Sequence, residues 1–264
     1  MTLVIEKLRE ALRANAPDPD ATVEEIRAHV DAISAKMPVP SEVDVQATTV
    51  GGIPGERLTP PGDTDCRTVL YMHGGGGCMG SMLSVRGLGA NVALAARAVV
   101  IDLDYRLAPE HPCPAAIEDV LTAYDALLAD GVAPERLAIA GDSAGGGLTV
   151  DSLVAIRDSG RPLPAAGVGI SPAVDMAAPG ASVDTNAELD PLVSRKLIDR
   201  MADWYSGGCR STTPACPRCT PTWPACRRCW CTSAKRNSCA TTCIASPTSP
   251  ARPGWTSTSR PGRT

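Results

Sequence analysis

The sequence predicts an α/β fold: a mainly parallel sheet with helices on both faces and a small N-terminal helical cap. Three observations support this. From residue 42 onward, short apolar runs alternate with helix-length amphipathic segments, the pattern of strand–helix–strand units. The runs at 67–72, 98–103 and 136–140 are mostly apolar, as strands buried on both faces are. Two of them end in glycine-rich turns, His73-Gly74-Gly75-Gly76-Gly77 and Gly141-Asp142-Ser143-Ala144-Gly145.

The elements follow in order. Residues 3–14 predict a helix with Ile5, Leu8 and Leu12 on one face. A second helix starts after Thr22, whose hydroxyl can cap it, with Glu25 completing a capping box. Val23, Ile26, Val30 and Ile33 then recur at helical spacing before Pro38. These two helices suit a lid, and plain core packing accounts for them equally well. Val43 to Val50 alternates at period two and stops at Gly51-Gly52, a strand and a turn. Residues 67–72 form the next strand, 82–97 a helix, 98–103 a strand and 114–129 a helix with Ile117, Val120, Leu121 and Tyr124 inward. Residues 136–140 lead into the second glycine turn, and a helix follows to Asp158. Residues 165–170 give one more strand, and 191–204 a helix beginning near Pro191.

The chain has 264 residues, enough for one substantial core and a small cap. Its net charge of −4 argues against a nucleic-acid or membrane-surface partner. No run reaches the roughly 18 apolar residues of a membrane span. Glu6, Lys7 and Arg9 interrupt the N-terminus too early for a secretory signal, so a cytoplasmic location with free thiols is the expectation.

The average charge hides a break. Residues 206–264 hold nine Lys or Arg, no Asp or Glu, eight of the eleven cysteines, no Leu and no Val. Such a segment lacks the apolar periodicity of a helix or strand. The chain therefore divides into a cap segment 1–40, a core 41–205 and an aberrant tail 206–264, for which disorder is expected.

Gly141–Gly145 has the G-x-S-x-G form of a nucleophile elbow, a sharp strand-to-helix turn that lifts a serine hydroxyl clear of the backbone. Such a serine needs a general base, usually histidine. The three histidines, His29, His73 and His111, all lie upstream of it, whereas the order Ser…Asp/Glu…His places the base downstream. The run at 73–77 can aim backbone N–H groups at an anion, as can the N–H of Ala144 at a helix start. A phosphate cradle is disfavoured, because neither run has the G-x-x-x-x-G-K-[ST] form.

Three motifs together, HGGGG at 73–77, DYRLAPEHPCPAAIED at 104–119 and GDSAGG at 141–146, resemble the hormone-sensitive-lipase-like family of α/β-hydrolases over residues 40–205. The resemblance implies hydrolysis of a carboxylic ester or lactone of a small molecule, without cofactor or metal. It implies Ser143 as nucleophile and the N–H groups of Gly75, Gly76 and Ala144 as oxyanion hole. It also implies supporting roles for His73, Gly74 and Asp142, with His111, Arg106 and Glu118 structural. A ligand-binding relative without catalysis is the alternative, since the family includes a plant hormone receptor that lacks the histidine.

The tail allows two further readings. Cys216-x-x-Cys219 and Cys226-x-x-Cys229 have the pairing of a zinc site, or of a basic metal or nucleic-acid module, but lie closer together than zinc-ribbon pairs. A shifted reading frame explains more. Joining the last base of each codon to the first two of the next turns 215–239 into VSPLYADLAGLPPLLVHVGETELLR. The single Trp codon nearly fixes this at Trp223 and Trp230, and at Trp255 in a second stretch, 249–258, that reads ARAAGVDVDL. That text resembles the strand, acid loop and helix of the family, its acid straddling Arg236 and Asn237 and its histidine falling beyond Thr264. The C-terminal part of the fold is therefore expected to be incomplete, the chain nearly inactive, and the last strand left with an open edge.

Overall fold

The computed structural model describes residues 2–175 and 180–208 and the backbone of 242–245. Among the described residues, seven strands form one sheet in the order β1-β2-β4-β3-β5-β6-β7. The central four, β4 (Val99–Leu103), β3 (Thr68–Met72), β5 (Leu137–Asp142) and β6 (Ala166–Ile170), are parallel. Antiparallel strands flank them: β1 (Asp44–Val50) and β2 (Ile53–Thr59) at one side, β7 (Thr242–Ala245) at the other. The α/β-hydrolase architecture expected from sequence is present.

The alternation of β-strand side chains divides the core into two layers. Leu70, Met72, Ile101, Leu103, Leu137 and Ile139 face α4 (Ala115–Ala129) and α5 (Ser143–Asp158). Val69, Tyr71, Val100 and Ala140 face α3 (Met82–Ala96). A third apolar cluster joins α2 (Val23–Ser34) to α7 (Arg195–Ser206) through Val23, Ile26, Leu197, Cys78 and Met79. Thr22 caps α2 and completes the predicted box with Glu25, through bonds of 3.2 and 2.8 Å.

Two placements here differ from the sequence reading. β2 was not foreseen: Pro54, Gly55, Glu56 and Arg57 break the alternation of a strand. It forms because Gly51 and Gly52, at φ +60° and +85°, turn the chain back onto β1. Arg86 from α3 then neutralises the buried Glu56. α7 begins after Ser194, whose hydroxyl accepts from Leu197 N at 3.2 Å, and not near Pro191. Asp190 holds the intervening turn by accepting from Leu192 N and Val193 N at 2.9 and 3.0 Å. α7, within the segment 41–205, packs with α2.

Of the segment 206–264, Ser206–Gly208 close α7, with Gly207 at φ +63° donating to Trp204 O. Residues 242–245 pair with β6, on the edge expected to be open. The proposed zinc cysteines and the codon-shift text of 215–239 lie outside the described residues.

Candidate active site

β5 delivers Ser143 to the start of α5 with φ +50°, a left-handed conformation rare for a side-chain-bearing residue. The strain is held by its surroundings. Ala173 N donates to Ser143 O at 2.8 Å from the loop after β6. Gly141 and Gly145 must lack side chains here: a Cβ on Gly145 would collide with the carbonyls of Met72 and His73, and one on Gly141 with that of Met72. The elbow therefore packs directly on the end of β3, where the glycine loop begins. Ser143 itself is exposed.

Asp142 ties the two motifs together. Its Oδ1 accepts from Gly74 N and from Tyr71 Oη, both at 3.1 Å. Burial raises its pKa, and the Tyr71 bond works against that rise. His73 is wholly buried, its ring stacked on Tyr105 at 4.3 Å between centroids. Its Nδ1 bonds Gly74 O at 2.8 Å, which fixes the proton on Nδ1, and its Nε2 is enclosed without a partner. Burial lowers its pKa, so the ring is neutral near pH 7. Tyr105 Oη donates to His73 O at 2.7 Å.

Gly75, Gly76 and Ser143 line one cavity of about 400 Å³, walled by apolar cap residues that include Leu197, Ile198 and Met201. A second space, about 30 Å³, opens beside Gly76 and Ala144 and runs between Tyr105, Leu148 and Tyr205. Gly76 and Ala173 belong to both. The five predicted residues Ser143, Gly75, Gly76, Ala144 and Asp142 thus converge on one place. Among the described residues, Gly75 N and Gly76 N donate to no acceptor, whereas Gly75 O and Gly77 O are engaged by Met79 N and Ala108 N. No group of three metal-ligating side chains occurs among the described residues.

None of the three histidines lines either cavity. His29 Nε2 bonds Asn15 O at 2.9 Å, and His111 is exposed beyond Leu107. Arg106 takes Asp119 as its main partner, at 2.8 Å from both backbone N and Nε, with Glu118 a longer contact at 3.3 Å. Sequence reasoning missed Arg27. From α2 it donates to Cys78 O at 2.7 Å and Ala108 O at 2.8 Å, fixing the far end of the glycine loop to the cap. Glu110 grips the same guanidinium, and that bond holds its carboxyl down to about 2. It also missed Asp151 and Asp175, which line the small and large cavities.

An elbow serine beside a glycine loop, at the carboxyl edge of this sheet, defines an α/β-hydrolase. A family model described as the α/β-hydrolase fold matches residues 69–239. The chain is 41% identical to an acetyl-hydrolase of Streptomyces hygroscopicus over 77% of its length and 68% of that protein's. It is 32% identical to the carboxylesterase NlhH of Mycobacterium tuberculosis, over 70% of the chain and 61% of that protein. An esterase structure from the bacterial hormone-sensitive lipase family superposes with a TM-score of 0.74 at 42% identity, covering 80% of this chain and 70% of that one. The chain belongs to the hormone-sensitive-lipase-like esterase family. It spans about two thirds of the length of these relatives.

Proposed function

We propose that this chain carries the nucleophile and anion-binding half of a carboxylic-ester hydrolase and lacks the half that activates the nucleophile. Ser143 Oγ attacks the ester carbonyl. The N–H groups of Gly75, Gly76 and Ala144 receive the oxyanion of the tetrahedral intermediate; its collapse expels the alcohol, which carries off the serine proton, and leaves an acyl-enzyme that water cleaves to the acid and free Ser143. The observation that carries this reading is the left-handed Ser143 opening into a cavity it shares with Gly75 and Gly76. The unequal spaces favour an ester with one bulky apolar part and one short part, and the acetyl-hydrolase relative supports the short part being the acyl group.

No histidine reaches the cavity among the described residues, so the serine proton has no acceptor of the usual kind there. Loss of the base from such a unit costs on the order of 10⁶ in turnover in another serine hydrolase. A codon shift between about Tyr205 and Cys216 accounts for the missing partners. Sequencing that DNA and weighing the protein test this point: an intact frame with the matching mass refutes it.

The activity experiment compares the purified chain with Ser143→Ala on p-nitrophenyl acetate. The expected difference is small. Fast hydrolysis abolished by Ser143→Ala would establish Ser143 and refute the inactivity. Fast hydrolysis unchanged by Ser143→Ala would refute the site itself. The lack of a histidine in the cavity lining, among the described residues, also favours a second reading, a receptor-like domain that binds an apolar ester without turning it over. Tight binding of an intact ester at the cavity would support that one.

A further inference from the structure

The Ser143 cavity has an apolar wall and a single charge. Met79, Leu192, Leu197, Ile198 and Met201 give it the surface of a protein core, and Pro17, which follows α1 (Thr2–Ala14), joins them. Among the described residues of this lining, Asp175 alone carries a charge. The small space repeats the pattern, with Asp151 as its one charged member. Among the described residues, no Lys, Arg or His lines either space.

The fold fixes where Asp175 stands. It ends the stretch 171–175 that follows β6, and that stretch is pinned to the elbow. Ala173 N donates to Ser143 O at 2.8 Å, and Ala173 O lies so close to Gly147 that a Cβ there would come within 2.2 Å of it. Val174 N donates to Pro172 O at 3.2 Å and tightens the turn. Asp175 thus comes two residues after a backbone bonded to the nucleophile. It is half-buried, and a further interaction within the chain steadies it. The cations of α7, the helix that supplies Leu197, Ile198 and Met201, are committed elsewhere. Arg195 bonds Asp184 at 2.9 Å, Lys196 bonds Asp20, and Arg200 donates to Pro19 O and Ala21 O. A charge beside apolar walls acts on a ligand more strongly than the same charge in open water.

We propose that Asp175 sets the substrate class of this site: esters whose apolar alcohol part ends in a cationic group, with esters that end in a carboxylate turned away. The apolar part fills the cavity while the cation stays beside the half-buried carboxylate. Neither charge then loses all of its water, a loss that would cancel the attraction. This inference rests on the ester-binding reading of the Ser143 cavity. Its test compares binding of three acetate esters to the full chain near neutral pH, under reducing conditions, by ligand-observed NMR. All three carry the same hexyl chain, ending in trimethylammonium, in its uncharged isostere tert-butyl, or in carboxylate. The cation should bind about two- to fivefold tighter than the isostere and the carboxylate more weakly than it, and added salt should shrink both gaps. Asp175→Asn and Asp175→Ser should each erase the gap between cation and isostere and leave the isostere's affinity unchanged, with circular dichroism confirming the fold. Asp125→Asn, on the exposed face of α4, should keep that gap. A gap that survives both Asp175 variants, or that Asp125→Asn also removes, overturns the proposal. Equal binding of the three esters by wild type overturns it and leaves the ester-binding reading standing. Failure of all three to bind overturns both. Loss of the Ser143 chemistry, read on p-nitrophenyl acetate, leaves the order of binding intact.

Discussion

Asp102 is the most consequential buried group in this sheet, and Asp102→Asn should stabilise the protein at neutral pH. Asp102 sits on β4 with no exposed surface, against Gly89 and Leu58, and neither of its carboxylate oxygens has a hydrogen-bond partner. The nearest cation, Arg86, is committed to Glu56. Burial, with Glu56 and Asp142 adding to it, therefore raises the Asp102 pKa well above its ordinary 3.8. A carboxyl whose folded pKa is raised contributes stability that is fully present below the unfolded pKa and is lost as pH rises through the folded one. Holding an ordinary carboxyl protonated at pH 7 costs about 1.4 kcal/mol per pH unit, so about 4 kcal/mol is the ceiling. The amide of Asn keeps the size and the unmet hydrogen bonds, so most of that cost is removed without a new one. We expect Asp102→Asn to gain stability at pH 7, up to that ceiling, and almost nothing near pH 4. Urea denaturation of both proteins across that range reads it directly. A variant no more stable than wild type at pH 7, or a gain that does not shrink toward pH 4, would refute the reasoning.

Other substitutions test the site and the cap. Gly145→Ala drives a methyl into the carbonyls of Met72 and His73, so it should destabilise by about 3 kcal/mol or more and lower the melting midpoint. Thr22→Ala removes the α2 cap and should cost about 1 kcal/mol, with amide exchange rising first in residues 23–26. Asp119→Asn leaves Arg106 without its main partner. Because that guanidinium is 43% exposed, the loss should be about 1–2 kcal/mol in denaturant titration and not that of a fully buried pair. His73 works in the sense opposite to Asp102. Its folded pKa is lowered, so the stability it contributes is present above the unfolded value of 6.5 and falls away as pH drops below it. In His73→Gln the loss of stability on acidification between about pH 7 and 5 should flatten; a slope identical to wild type would exclude His73 as its source.

What the sequence disclosed was whatever physics writes locally. The strands at β3, β4 and β5 are predominantly apolar because neighbours cover both faces, and that shows in runs of three or four apolar residues such as Val69–Met72, Val99–Ile101 and Leu137–Ala140. The elbow shows because two glycines are forced by contacts that no side chain tolerates. β2 was hidden because the stabilising partner of its buried Glu56 lies 30 residues away on α3. Arg27 was hidden for the same reason: on a helix it is an ordinary charge, and only the fold brings Cys78 O and Ala108 O to it across 51 and 81 residues. Long-range relations are thus the part a local pattern does not carry.

The base for Ser143 is such a relation, yet here scarcity made it legible. With three histidines in the chain, each can be followed to its place. His73 has given its proton-bearing nitrogen to Gly74 O and stacked its ring on Tyr105, so it cannot turn toward Ser143 without dismantling the loop it supports. His29 is bonded to Asn15 O on the outer cap, and His111 is exposed and lines neither cavity. A nucleophile held in strain costs stability, and that cost persists only where surrounding contacts enforce it. Those contacts, from Ala173 N, Met72 and Asp142, are all still in place around Ser143. The contacts that enforce the left-handed turn at Ser143 are thus present in a chain whose three histidines all lie elsewhere, and the proposed codon shift after Tyr205 would leave this part of the fold untouched.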